Sequence, residues 1–175
     1  MTNHSDKTPS LWVERFASLI PGNGGILDLA CGSGRHLRYL ASRNQSLTGV
    51  DVDLSGVQDL LAEPHIELLE IDLEKPGMTL PCRDLAGIIV TNYLHRPLLK
   101  VLPDLLAKNG VLIYETFADG NAEYGHPRNP DFLLQPNELL TTYVKRLEIV
   151  EFTQGFTEHP RPAVIQRICA TNSAR

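Results

Sequence analysis

Three aspartates and one glycine turn carry the strongest chemical signal in the chain. Asp28-Leu29-Ala30-Cys31-Gly32-Ser33-Gly34-Arg35-His36 puts an acid at the end of a short apolar run and two glycines just past it. Glycine in such a turn lets backbone approach a ligand closely, and it opens the N-terminus of a following helix toward that ligand. Asp51 closes the next apolar run, Leu-Thr-Gly-Val-Asp-Val. A carboxylate at the end of a second strand can accept hydrogen bonds from both hydroxyls of a ribose. Asp53 can cap the segment that follows equally well, which leaves Asp51 for the ligand. Asp72 follows a third apolar run, where it either accepts from an adenine amino group or is a plain loop acid. The turn lacks the third glycine of a dinucleotide fingerprint, since Leu37 stands there, and it lacks the Lys-Ser/Thr of a phosphate-binding Walker loop.

Further candidates follow the later apolar runs. In Thr91-Asn92-Tyr93-Leu94-His95-Arg96, His95 is the best general base, because histidine titrates near neutrality. The alternative is a histidine at a helix start beside Pro97 that moves no proton. Tyr93 either walls an adenine or lines a substrate pocket. Glu115 lies in the otherwise apolar run Val111–Phe117; it either pairs with an arginine or faces the site, and we favour the site. The polar stretch 118–130 is long for a compact domain, and long loops often carry function. It is read as a substrate lid in which His126 and Arg128 make contacts, or as a solvated loop. His159 and Arg161 in the last turn have weaker claims. Arg35, Arg38 and Arg43 share one helix and read as a solvated face.

These residues need a scaffold that brings strand ends together. Trp12, Phe16 and Leu19 fall on one helical face after a Thr8-Pro9 start, and Pro21-Gly22 ends that helix. Strands are expected over 24–30, 47–52, 66–71, 85–91 and 111–117, with helices over 35–43, 54–62 and 97–108. Pro103 must kink or split the third of these, and Asn109-Gly110 closes it. A helix over 132–144 precedes two strands, 147–152 and 163–170, too close in sequence for a helix between them. The expectation is therefore an α/β fold: a seven-stranded, mostly parallel Rossmann-like sheet, helices on both faces, and a C-terminal antiparallel hairpin. Ligands of such sheets bind beyond the carboxyl ends of the strands.

Composition narrows the rest. The chain has 175 residues, 42% hydrophobic and 21% charged, and a net charge of −5. That fits one domain, expected over 9–172 behind a flexible N-terminus of residues 1–8, and excludes a largely disordered chain or a coiled coil. Mild acidity argues against a protein whose main task is gripping nucleic acid. The three cysteines, Cys31, Cys82 and Cys169, have no C-x-x-C spacing, which argues against a zinc knuckle; no metal is expected. Sparse cysteines, an N-terminus unlike a signal peptide and the absence of a long apolar run predict a cytoplasmic protein with no membrane partner.

Taken together, these motifs resemble those of the class I S-adenosylmethionine-dependent methyltransferases. Ile26 to Gly34 matches the family's acid-x-Gly-x-Gly-x-Gly motif, Gly49-Val50-Asp51 its ribose motif, and Ile71-Asp72-Leu73 its adenine motif. Asn109-Gly110-Val111-Leu112 resembles the turn before the fifth strand. The likeness runs over about residues 24–118, and the hairpin extends it to 170. Ala30 departs from the pattern by replacing its first glycine. The resemblance implies S-adenosylmethionine as cofactor, with S-adenosylhomocysteine as product. It places Asp28 and the backbone of Ala30, Gly32 and Gly34 at the methionine end, with Asp51, Val52, Asp72, Leu73 and Asn92 completing the cofactor site. Physics agrees, since the cationic sulfonium suits an acidic site and needs no phosphate-binding glycine. Asn92 does not begin an Asn-Pro-Pro-Tyr motif, which counts against exocyclic or amide nitrogens as acceptors. The chain is similar in scale to compact tellurite-resistance-type methyltransferases, with no inserted recognition domain, so a small-molecule substrate is expected. His95, Tyr93 and Glu115 are the catalytic candidates. Open alternatives are a protein or RNA substrate presented by a partner and a non-catalytic cofactor-binding module. A nicotinamide oxidoreductase is a distant further reading. Oligomeric state is left open.

Overall fold

The structure is a computed structural model that describes residues 8–173. Apart from Thr8, the N-terminal stretch expected to be flexible lies outside the described residues.

One sheet organises the chain, with strands β1 (Ile26–Leu29), β2 (Leu47–Asp51), β3 (Ile66–Glu70), β4 (Leu85–Thr91), β5 (Leu106–Phe117), β6 (Glu148–Thr157) and β7 (Ala163–Thr171). Their order is β3-β2-β1-β4-β5-β7-β6. The first five run parallel; β7 pairs antiparallel with both β5 and β6. The connection reverses direction on either side of β1, so the carboxyl ends of β1 and β4 flank a crevice at the switch point. β1 and β4 are buried along their whole length, as a strand covered on both faces must be.

Alternate residues of these strands feed two apolar layers. One layer joins Leu27, Ile88, Leu112 and Tyr114 to helices α3 (Arg96–Leu105) and α4 (Glu138–Tyr143) through Leu102, Leu139 and Tyr143. The other joins Ile26, Ile89, Ile113 and Cys169 to helices α1 (Leu11–Phe16) and α2 (Arg35–Leu40) through Trp12, Phe16, Leu37 and Leu40. The expected topology stands, and so do most facing residues of the helices; Leu19, expected on the face of Trp12 and Phe16, is instead exposed, because the α-helix ends at Phe16 and Leu19 falls in a 3-10 turn.

Several boundaries differ, each for a local reason. Ser10, not Thr8, caps α1: its hydroxyl accepts from the Trp12 N–H at 3.1 Å. Residues Ser55–Ala62 form a 3-10 rather than an α-helix. Gly34 and Gly56 let that segment press on the turn, and a Cβ at Gly34 would stand 2.5 Å from Val57. Pro103 stays inside α3, but the helix ends at Leu105, ahead of the expected 108. Residues 106–110 instead join β5, where Leu106 pairs with Leu85 before a register shift. Asn172 captures them, its side-chain amide donating to the Leu106 and Ala107 carbonyls. The helix expected over 132–144 begins only at Glu138, because Pro136 disfavours helical backbone at Gln135. Leu134 bridges to Ala118 instead. The last strands run longer than expected, because each offers its partner an extended antiparallel ladder, interrupted only by a register shift between Ile149 and Glu151.

Candidate functional site

The carboxyl ends of β1, β2 and β3 bring the three aspartates to one edge of the molecule. Asp51 is held from two sides: the Gly32 N–H donates to Oδ2 at 2.7 Å and the Asp53 N–H to Oδ1 at 3.1 Å. Each carboxylate oxygen keeps a further lone pair for a ligand. Asp53 turns away and accepts from the Ser55 N–H at 2.8 Å, and that bond lowers its own carboxyl below the usual range. Asp72 is exposed and accepts from the Glu74 N–H at 3.0 Å. Val52 projects into solvent, whereas Leu73 is buried. Gly32 has φ +52 and no atom within 4 Å of where a Cβ would stand, so the space over the turn is open. Ala30 takes φ 54 without the glycine that this conformation favours.

Asp28 is different in kind. It is 1% exposed, its Oδ2 has no hydrogen-bond partner, and His36 Nδ1 stands 3.8 Å from Oδ1. His36 Nε2 accepts the Ser10 N–H at 3.2 Å, so a neutral His36 carries its proton on Nδ1, toward Asp28. A buried carboxylate oxygen without a partner is costly unless a donor arrives. The neighbouring Cys31 thiol is pushed far up by burial and then by Asp28 and Asp51, so it stays protonated.

The second half of the site follows β4 and β5. A cavity of about 240 Å³ is lined by Glu74, Asn92, Tyr93, Leu94, Thr116 and Phe117, and closed by Pro127 and Phe132. Tyr93 donates nothing: its hydroxyl is buried without a partner, and its carbonyl accepts from Tyr114 Oη at 2.8 Å. Burial, then Glu74, Asp72 and Asp51, raise the Tyr93 phenol well above its ordinary range. It therefore remains a proton donor and cannot act as a base near neutral pH. His95 sits half-buried at the start of α3, beside the lining residue Leu94 but not itself lining the cavity. Asn92 takes φ 57 and is exposed at the tip of β4.

Glu115 has both oxygens engaged. Ser10 Oγ donates to Oε1 at 2.7 Å and Arg167 Nε donates to Oε2. Register explains the second bond, since Glu115 and Arg167 are directly paired across β5 and β7. His126 and Arg128 are exposed on the loop after β5 and flank Pro127, which lines the cavity.

That loop is anchored. Asn121, 2% exposed, donates to the Pro127 carbonyl at 3.2 Å and accepts from the Val164 N–H at 3.1 Å. Arg96 clamps its far end through the Asp131 and Leu133 carbonyls and both oxygens of Glu138. The sequence reading did not single out Ser10, Arg96, Asn121, Phe117, Phe132 or Arg167. Each is an ordinary residue type whose role depends on a partner distant in the chain. Only Asn121, a polar residue in a glycine-flanked turn, carried a local hint.

No protein-family model matches the chain. It is 25% identical to the uncharacterized protein UNK4.09 of Schizosaccharomyces pombe, over 82% of this chain and 56% of that protein. The chain thus spans little more than half the length of that relative. Among solved structures it resembles TehB from Haemophilus influenzae, with TM-score 0.72 and 18% identity over 93% of this chain and 61% of that one. A methyltransferase from Methanosarcina mazei gives TM-score 0.69 and 14% identity, covering 96% of this chain and all of that one. The geranyl diphosphate C-methyltransferase of Streptomyces coelicolor A3(2), in complex with Mg2+, geranyl diphosphate and S-adenosyl-L-homocysteine, gives 0.67 and 12%, over 91% and 78%. The architecture is the Rossmann-like fold of class I S-adenosylmethionine-dependent methyltransferases. Among the described residues no helix is long and apolar enough to cross a membrane.

Proposed function

We propose that this chain is an S-adenosylmethionine-dependent methyltransferase acting on a small molecule. The observation that carries the reading is Asp28, a buried carboxylate with one unpartnered oxygen beside an open glycine turn, with Asp51 and Asp72 at the next two strand ends. Three acids in a row repel a phosphate-bearing cofactor and suit one that ends in an ammonium and carries a sulfonium. The residues fit that group. Asp28 would meet its amino end, the Ala30, Gly32 and Gly34 backbone its carboxylate side, Asp51 the ribose, and Asp72 and Leu73 the adenine. Val52 and Asn92 would border it. When bound, the cofactor supplies an electrophilic methyl group.

The chain's own residues do the rest by placement. The cavity walls Leu94, Phe117 and Phe132 exclude water, and the neutral, unpartnered Tyr93 hydroxyl is the donor left over for a bound acceptor. Alignment of acceptor and methyl group is the larger part of catalysis for a one-step displacement. His95, next to the lining residue Leu94, takes the acceptor's proton where there is one to remove. Glu115, saturated by Ser10 and Arg167, serves as scaffold beneath the site. His126 and Arg128 contribute to the substrate side.

Calorimetric titration with S-adenosylmethionine, S-adenosylhomocysteine and NADH tests the reading. The expected result is micromolar binding of the two adenosyl ligands and none of NADH. In Asp51→Ala, loss of charge-assisted hydrogen bonds weakens S-adenosylhomocysteine by about 1–3 kcal/mol, or roughly 5- to 150-fold. Unchanged affinity removes Asp51 from the site, and tight NADH binding overturns the proposal.

A further inference from the structure

We propose that the acceptor is an anion, and that Arg161 is the residue that selects it. This inference rests on the methyltransferase reading and names the substrate class of the same cavity. Arg161 lies in the turn between β6 and β7, and its guanidinium stands 5.4 Å from the centre of the Phe117 ring. Phe117 is 8% exposed and lines the cavity after β5. An arginine parked on an aromatic ring keeps its N–H fork free for a planar anion while the ring orients it.

Two further basic residues adjoin the cavity lining in sequence. His126 and Arg128 flank Pro127, another lining residue. The two loops are tied together, so the juxtaposition is built in. Asn121 bonds to both Pro127 and Val164, and the rings of Tyr124 and Phe156 stack with centroids 4.9 Å apart. Five of the ten arginines among the described residues are committed to carboxylates. Arg15, Arg38, Arg96, Arg146 and Arg167 each pair with a carboxylate. Arg128 and Arg161 pair with none among the described residues, although Asp119, Glu123, Asp131 and Glu158 lie on the same two loops. In a chain of net charge −5, an arginine left without a carboxylate and set on a ring that lines the cavity, as Arg161 is on Phe117, marks a site for negative charge.

The one charged lining residue, Glu74, comes from the opposite side. It follows β3, and β3 is separated from β5 by β2, β1 and β4 in the sheet. Its carboxylate raises the Tyr93 phenol and belongs with Asp72 at the end assigned to the cationic cofactor. The cavity thus has an acidic end at Glu74 and, away from it, the Phe117 wall on which the Arg161 guanidinium rests, with Leu94 and Phe132 as further apolar walls. An aromatic or aliphatic carboxylate matches that polarity.

The test uses three probes of one shape and different charge: benzoate, benzamide and benzylamine. Each is titrated calorimetrically into the full-length protein saturated with S-adenosylhomocysteine. Benzoate is expected to bind about tenfold more tightly than benzamide, with benzylamine weakest. Arg161→Gln is expected to erase the benzoate advantage while leaving benzamide and S-adenosylhomocysteine affinities unchanged. Arg161→Lys, which keeps charge but not the planar fork, is expected to restore part of it. No preference for benzoate, a preference for benzylamine, a preference that survives Arg161→Gln, or no binding of any probe each overturns the proposal. If S-adenosylhomocysteine itself fails to bind, the methyltransferase reading falls. The same three probes on the cofactor-free protein then still decide the charge preference of the cavity.

Discussion

Two tyrosine hydroxyls, on Tyr93 and Tyr143, are buried without a hydrogen-bond partner, and they separate function from packing. Leaving a hydroxyl buried and unpaired costs about 1–3 kcal/mol, so removing it should stabilise the free protein. Tyr93→Phe and Tyr143→Phe are each expected to raise the melting temperature by a few degrees, at about 2–4 °C per kcal/mol for a chain of this size. Only Tyr93→Phe should also lower turnover, because only Tyr93 faces the cavity. Equal turnover in the two variants removes the Tyr93 hydroxyl from the site. Ala30 offers a second residue-scale check. A left-handed alanine costs about 1–2 kcal/mol, part of which glycine's extra unfolded-state freedom offsets. Ala30→Gly is expected to gain about 0.5 kcal/mol in urea unfolding. A loss would show that this turn favours its alanine for reasons other than φ.

Helix α1 illustrates how one short element can depend on distant partners. Six residues cannot hold a helix alone, so α1 rests on its cap and on packing. Ser10 provides the cap, bonds to Glu115, and through its N–H holds His36 against Asp28. Trp12 adds an indole N–H to the Ile168 carbonyl at 3.2 Å. Ser10→Ala is expected to cost about 1–2 kcal/mol by urea unfolding, through loss of a cap and a hydrogen bond to a charged group. It should cost turnover little if Glu115 is scaffold, and much if Glu115 moves a proton. Glu115→Ala is expected to be harsher, about 3 kcal/mol, because Arg167 is then left largely buried without its carboxylate. The helices misjudged from sequence were those whose ends are captured by other chain segments. Asn172 draws residues 106–110 into β5, and Ala118 draws Leu134 into a bridge ahead of α4.

For the molecule as a whole, pH gives the broadest test. Burial pushes the Cys169 thiol up to about 12 and raises Cys31, Cys82, Tyr93, Tyr114 and Tyr143 as well. A neutral acid whose folded pKa is raised holds its proton longer than in the unfolded chain. Stability from these groups is therefore fully present below their unfolded values, near 8.5 for thiols and about 10 for phenols, and falls as pH rises above them. Urea unfolding under reducing conditions should show a steep loss of stability between about pH 9 and 11. In Cys169→Ala that alkaline slope should be shallower by about 1.4 kcal/mol per pH unit, one proton's worth. An unchanged slope would mean that Cys169 does not hold its proton in the fold. By itself the sequence determined the strand order of chemistry: apolar runs ending in Asp28, Asp51 and Asp72, a glycine turn, an alternation of strands and helices, and a closing hairpin. Those signals are local, because apolar periodicity and turn residues act over a few neighbours. Tertiary structure alone decided which acid is free and which is spent. Asp28 keeps an unpartnered oxygen while Glu115 is saturated, since Ser10 and Arg167 reach Glu115 only after α1 docks and β7 inserts between β5 and β6. It also decided where the cations stand, because Arg161 meets Phe117 only across the antiparallel edge of the finished sheet.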